Sequence, residues 1–175
     1  MEVRLGIKSD PVQNRFSYEW LFSLMNSLGV HDLQLGGFIE LPILADGFFY
    51  ELREKAEKKG IHIKSLFSMY RVMGGFFNND SYMEKAARLT YEKYINAGAL
   101  LGVDYVGASA GPVYLDKIDK KDSGIRCFFG HMEELMALAK EKGLKGLSTE
   151  IMSSTIEFPT SAEEIDLFMG YLGDY

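Results

Sequence analysis

A parallel α/β fold, five strand–helix units in succession, is what this sequence predicts. Three observations carry the prediction. Glycine closes one helical pattern after another, at Gly29, Gly60, Gly102, Gly143 and Gly173, spaced about 30 to 40 residues apart, the length of one βα unit. The first four of these glycines are each followed at once by a short strand-like stretch. The segments between them read as helices with one apolar stripe and one polar face, the pattern of helices that cover a sheet on one side and meet water on the other.

The predicted strands are residues 3–8, 32–36, 61–67, 104–108 and 146–152, all short, as buried parallel strands are. The first helix is read from Leu21, Leu24, Met25 and Leu28 at i, i+3, i+4, i+7. Residues 48–59 form the second, with Phe48, Leu52 and Ala56 inward. Ala87, Thr90, Tyr91, Tyr94 and Ile95 mark the third. The fourth carries Phe128, Met132, Leu135, Met136 and Ala139, and the fifth Ile165, Phe168, Met169 and Leu172. Two helix starts read as capping boxes, Ser81 with Glu84 and Ser161 with Glu164, in which hydroxyl and carboxylate satisfy free backbone N–H groups reciprocally.

Uninterrupted alternation of strand and helix demands parallel strands joined by helical crossovers. An open doubly wound sheet and a barrel both satisfy it. The first strand is followed by Gly6-Ile7-Lys8-Ser9-Asp10-Pro11 rather than a Gly-x-Gly-x-x-Gly phosphate turn. The loops at 9–16, 68–80 and 109–122 are long and lie on the strand C-terminal side, where barrel enzymes build their sites. These two features favour a (β/α)8 barrel type, with residues 1–175 forming one partial barrel domain that ends after the fifth β/α unit.

Composition narrows the function. Apolar residues at 47% and charged residues at 25% are those of a globular domain with a core. A net charge of -6 argues against a nucleic-acid backbone as partner, because phosphate binding wants a basic face. The one cysteine, Cys127, has no intrachain disulfide partner and is read as a small buried helical residue. No apolar run approaches the roughly 18 residues of a membrane span, and the N-terminus has no secretory pattern, so the cytoplasm is the expected location.

Glu150, near the end of the fifth strand, is the most informative single residue. A carboxylate at the mouth of a parallel barrel must be paired, metal-bound or solvated. Gln34, Ser68, Tyr70, Arg71, Ser109 and Ser153 fall at or just after other strand ends, where a barrel gathers them over one mouth. Amide, hydroxyl and guanidinium groups there suit a polyol or sugar. His31, His62 and His131 lie away from strand C-termini and read as structural. Phe76-Phe77 after Gly74-Gly75 is either a lid or loop packing. The charged run 116–122 reads as a solvated loop.

Several of these segments resemble the xylose isomerase-like barrels of the sugar phosphate isomerase and epimerase superfamily, which also holds metal-dependent apurinic endonucleases. The resemblance runs from Val3-Arg4-Leu5-Gly6-Ile7-Lys8, through Leu33-Gln34-Leu35-Gly36 and Gly98-Ala99-Leu100-Leu101-Gly102, to Glu150-Ile151-Met152-Ser153 and Phe158-Pro159-Thr160-Ser161. Many relatives have a proline where Ile151 stands. The resemblance implies that Glu150 ligates a divalent metal (manganese, magnesium or cobalt) and exchanges a proton with substrate. It also implies an aspartate, a histidine and a second glutamate from three further strands, for which this chain has no counterpart. Metal binding by the chain alone is therefore expected to be weak or absent.

The leading expectation is a sugar isomerase or epimerase acting on a small ketose, polyol derivative or sugar phosphate by metal-assisted proton transfer. The alternatives are a metal-dependent lyase, hydrolase or endonuclease of the same superfamily, or a non-catalytic half-barrel. A homo-oligomer or a completing chain is expected, because five barrel strands leave two open edges.

Overall fold

The structure is a computed structural model that describes residues 4–12, 14–36, 43–68 and 71–172. Its strands are β1 (Gly6–Lys8), β2 (Asp32–Gly36), β3 (His62–Ser68), β4 (Tyr105–Ser109) and β5 (Gly146–Glu150). Its helices are α1 (Tyr18–Ser27), α2 (Asp46–Lys58), α3 (Ser81–Leu101), α4 (Lys121–Glu141) and α5 (Ala162–Leu172). Two 3₁₀ segments, Arg71–Phe77 and Leu115–Lys120, occupy what the sequence presents as the long loops after β3 and β4. The charged run is thus helical and mostly exposed, but Lys117 and Lys121 are half-buried.

The five strands form one sheet in the order β1-β2-β3-β4-β5, every neighbouring pair parallel. Sequential order with crossovers of one hand puts every helix on the same face. Accordingly α1 packs on α2, α2 on α3 and α3 on α4. The other face carries no helix among the described residues.

Register explains where the predicted strands needed correction. β1 starts at Gly6 rather than at residue 3, since its ladder begins with Gly6 opposite Asp32, the first residue of β2. Residues 1–3 lie outside the described set. β5 ends at Glu150, opposite Ser109, and Ile151 beyond it is 61% exposed. A bulge between Leu33 and Gln34 leaves Lys64 of β3 without an opposite residue.

One device is repeated four times. After α1, α2, α3 and α4 a glycine with positive φ (Gly29, Gly60, Gly102, Gly143) turns the chain. The next residue's N–H then bonds a carbonyl five positions back: Val30 to Met25, Ile61 to Ala56, Val103 to Gly98, Leu144 to Ala139. This is the Schellman closure, and the residue after each glycine is apolar and packs into the core, so the chain leaves every helix aimed back under the sheet. Gly173 lies outside the described residues.

The core lies between sheet and helices. Phe22, Met25, Leu35, Phe49, Leu66, Tyr94, Val106 and Phe128 are fully buried there. Each large apolar side chain so placed contributes about 1.5–3 kcal/mol. The helix stripes are those expected for α3, where Ala87, Tyr91, Tyr94 and Ile95 are buried, and for Phe128, Leu135 and Ala139 of α4. Elsewhere the stripe is rotated. In α1 the buried set is Leu21, Phe22 and Met25, while Leu24 and Leu28 are exposed. In α2, which begins two residues earlier than expected, it is Phe49, Leu52 and Ala56, with Phe48 partly buried beside them. In α5 Met169 is exposed.

Capping differs too. Asp80, not Ser81, caps α3, its carboxylate accepting from the N–H groups of Tyr82 and Met83. A carboxylate at that position outcompetes the hydroxyl next to it and frees Glu84 for other partners. At α5 the Ser161 hydroxyl accepts from the Glu164 N–H, and the Glu164 carboxylate returns to the N–H of Thr160. Phe76 and Phe77 are buried within an aromatic cluster with Tyr91, Phe128 and Phe158, which makes them packing residues and not a lid.

Candidate functional site

Alternation along a strand sends successive side chains to opposite faces. Leu33, Leu35, Leu66, Val106, Ala108, Leu147 and Thr149 lie on the helix side. Lys8, Gln34, Ser65, Phe67, Tyr105, Ser109, Ser148 and Glu150 therefore share the open side. Contacts across it agree. Gln34 Nε2 donates to Ser65 Oγ at 3.1 Å, and Lys8 Nζ sits 5.3 Å from the centre of the Phe67 ring. The Ser148 hydroxyl lies over the Cα of Gly107. A shallow groove follows β1 to β3 on this face, lined by Lys8, Asp32, Gln34 and Ser65.

Glu150 is the last residue of β5, exposed, at the C-terminal rim of the open side. Ser109, the last residue of β4 and half-buried, is directly opposite it in register. The chain beyond Glu150 is pinned by short bonds. Met152 N–H donates to the Pro159 carbonyl at 3.0 Å, and the Thr160 hydroxyl donates to the Met152 carbonyl at 2.7 Å. Lys121 clamps the same loop, reaching the Thr155 carbonyl at 2.9 Å and the Glu164 carboxylate at 2.5 Å. Ser153 is exposed on this loop, three residues past the strand.

The loops after β3, β4 and β5 are tied to one another. Gly74 and Gly111 touch backbone to backbone; a Cβ on Gly111 would stand 2.2 Å from the Gly74 Cα. With φ at 99°, Gly111 also holds a conformation that side chains rarely adopt. Two residues on, Val113 N–H donates to Ile156 at 2.9 Å, and Pro112 forms a bridge to Glu157. The rim around Glu150 is in this way built on fixed elements.

Of the expected site residues, the structure brings Glu150 and Ser109 together and puts Gln34 on the same face. It removes Ser68, whose hydroxyl is fully buried on the helix side and donates to the Tyr94 hydroxyl at 2.9 Å. Ser68 ends its strand one position out of phase with the open face, so its hydroxyl is not brought together with Glu150 and Ser109. Arg71 opens the first 3₁₀ segment, with its side chain outside the described set, as is Tyr70 altogether.

Sequence reasoning passed over Lys8, Asp10 and Ser148. Lys8 and Asp10 pair at 2.8 Å at the end of β1, with the Asp10 carboxylate against Gly36. Their signal was a polar strand end like the others. Ser148 could have been found from period-two alternation with Glu150.

A second group of donors lies on the helix layer. The Glu84 carboxylate from the first turn of α3 meets Cys127 and His131 of α4. His131 Nε2 is 2.8 Å from Glu84 Oε1. Burial pushes the Cys127 thiol up to about 11, and the neighbouring Glu84 carboxylate adds to the shift.

A divalent cation of the magnesium or manganese kind takes about six oxygen ligands. Glu150 supplies one carboxylate, and the one group of three carboxylate, imidazole or thiol donors among the described residues is the helix-layer one. The donors described around Glu150 do not by themselves fit such an ion.

No protein-family model and no curated protein matches the sequence. Solved structures do match. A provisionally designated xylose isomerase from Rhodospirillum rubrum superimposes with a TM-score of 0.89 at 20% identity, over 98% of this chain and 62% of its own. The D-psicose 3-epimerase of Clostridium cellulolyticum, solved with D-tagatose, gives 0.81 at 18% identity, over 97% and 60%. A xylose isomerase-like TIM barrel protein from Mycobacterium smegmatis in complex with magnesium gives 0.62 at 16%, over 90% and 52%. The chain thus spans between 52% and 62% of the length of these structures. Among the described residues no helix is long and apolar enough to cross a membrane. Five consecutive parallel β/α units of this shape have the fold of the xylose isomerase-like TIM barrels, sugar isomerases and epimerases among them.

Proposed function

We propose that these five units carry the proton-transfer carboxylate of a sugar isomerase or epimerase acting on a small ketose, a related polyol derivative or its phosphate. The observation that carries this reading is the position of Glu150: a solvent-facing carboxylate at the C-terminal rim, in register with Ser109, on a face lined by hydroxyl, amide and ammonium groups. In the first step the Glu150 carboxylate takes the proton from the carbon next to the substrate carbonyl. Returning it to the adjacent carbon gives the isomer; the epimer requires a proton delivered to the opposite face of the same carbon by an acid on that side. Ser109 stands beside that carboxylate in register, and on this reading Gln34 of the same face, with Ser153 and Arg71 as the sequence suggests them, would meet the sugar's other hydroxyls.

A divalent metal, when bound, would polarise the carbonyl oxygen. Glu150 is the residue here that would touch it, together with ligands beyond those described, so no step is assigned to it.

The test is solvent deuterium exchange. A panel of ketoses including D-tagatose is incubated with the protein in D₂O, with and without added manganese, magnesium or cobalt, and followed by proton NMR. Exchange at the carbon next to the carbonyl is expected for at least one ketose. Glu150→Gln should reduce it by about 10²–10⁴-fold. Exchange that survives Glu150→Gln unchanged would remove Glu150 from catalysis.

A further inference from the structure

The helix layer holds a constellation the sheet face does not use. Glu84, Cys127 and His131 each direct one donor atom to a common point, all three atoms within 4.8 Å of one another. The arrangement has a simple origin. Cys127 and His131 are four apart on α4 and so project from the same side of that helix. Glu84 comes from the facing first turn of α3, where Asp80 has taken over the cap. The imidazole is oriented by stacking on the buried Phe76 ring, centroids 4.6 Å apart and planes 19° apart, which aims Nε2 at the Glu84 carboxylate. One turn further along α3, Arg88 is engaged by Glu92 and Glu134, so its charge is spent away from the cluster.

We propose that Glu84, Cys127 and His131 form a three-ligand site for a borderline transition-metal ion, zinc foremost, that fastens α3 to α4. A thiolate, an imidazole and a carboxylate are the ligand types zinc takes, and thiolate with imidazole selects zinc, cobalt or nickel over magnesium and calcium. Metal–ligand bonds of about 2.0–2.3 Å in a tetrahedron put the donors some 3.3–3.8 Å apart. The His131–Glu84 pair at 2.8 Å would open by about 0.5 Å, and a donor pair near the 4.8 Å limit would close by about 1 Å. On binding, the thiol proton leaves to solvent and the metal takes its place; the imidazole binds through neutral Nε2. His131 keeps 24% and Glu84 43% of its side-chain surface exposed, which leaves the outer side open for a water as fourth ligand. This site is independent of Glu150, which is on the other face of the sheet.

The experiment is titration of the metal-stripped chain with cobalt(II), then zinc(II). One equivalent of cobalt should produce the visible bands of a tetrahedral centre together with a thiolate-to-cobalt charge-transfer band in the near ultraviolet, and zinc should erase both. Cys127→Ser should abolish the charge-transfer band. His131→Gln and Glu84→Gln should weaken binding by more than the roughly 10–100-fold typical of losing a mere outer-shell partner. Glu150→Gln, which should lower ketose exchange, should leave the cobalt bands and the metal affinity as they are, which separates this site from the sheet-face reading. X-ray absorption at the zinc edge of the unaltered chain, which needs no variant to fold, should show one sulfur at about 2.3 Å. A shell of nitrogen and oxygen alone, or a charge-transfer band that persists in Cys127→Ser, would overturn the proposal.

Discussion

Two faces of one sheet, made by alternate residues of the same five strands, follow different rules. The helix side is built from Leu33, Leu35, Leu66, Val106 and Ala108, all at or near zero exposure, and the buried strand-end hydroxyl of Ser68 is bonded to Tyr94. The open side is built from Lys8, Gln34, Ser65, Ser109, Ser148 and Glu150, half-buried or exposed. The first set is apolar because it is sealed; the second can be polar because water or a ligand reaches it. The difference separates residues that hold the fold from residues free to do chemistry, position by position along a single strand.

The sharpest way to break that division is on adjacent residues of β3. Leu66→Ala removes a fully buried side chain between sheet and helices and should destabilise by about 2–5 kcal/mol, whereas Ser65→Ala, pointing the other way, should cost less than about 1 kcal/mol. Denaturant midpoints of the two variants measure this. Equal losses would mean that the open side is sealed in solution by something that packs on it.

A smaller effect marks a place where the open side is tight between β4 and β5. A Cβ on Gly107 would stand 2.0 Å from the Ser148 hydroxyl oxygen and 2.4 Å from its carbonyl oxygen. The hydroxyl can rotate away but the carbonyl belongs to β5. Gly107→Ala should therefore cost about 1–3 kcal/mol by forcing β4 and β5 apart. It should also disturb the Ser109–Glu150 register two residues on, lowering deuterium exchange along with thermal stability.

Ser68→Ala tests the residue that changed sides. Losing its bond to Tyr94 should cost about 1 kcal/mol and leave ketose exchange untouched, since the hydroxyl faces the helices. A fall in exchange with unaltered stability would put Ser68 back among substrate contacts.

The repeat, the strand order and the helix stripes of α3 and α4 were legible because glycine closures and apolar periodicity are local signals. Glu150, Ser109 and Gln34 were legible because a strand end is a local position. The face of a strand end was less so. Ser68 and Ser109 look alike in sequence, and only the phase of each strand, fixed by partners some forty residues away, tells them apart. The Glu84–Cys127–His131 group was hidden for the same reason. Its two α4 members show the helical spacing, but the third arrives from another helix, and Glu84 reads as half of a capping box until Asp80 is seen to hold the cap.

The smallest expected change in stability belongs to the residue with the largest expected role. Glu150 is exposed at the end of its ladder, and among the described residues its carboxylate makes no hydrogen bond or ion pair. Glutamine has the same length and keeps the strand's backbone bonds, so Glu150→Gln should shift unfolding by no more than about 0.5 kcal/mol. The substitution removes the charge and the basicity together. If exchange collapses while the melting curve stays in place, Glu150 is kept for chemistry and contributes nothing to folding, as the open side requires. If instead the variant is destabilised by more than about 1 kcal/mol, the carboxylate has a structural partner that the sheet geometry does not supply, and the division between the two faces fails at its most important position.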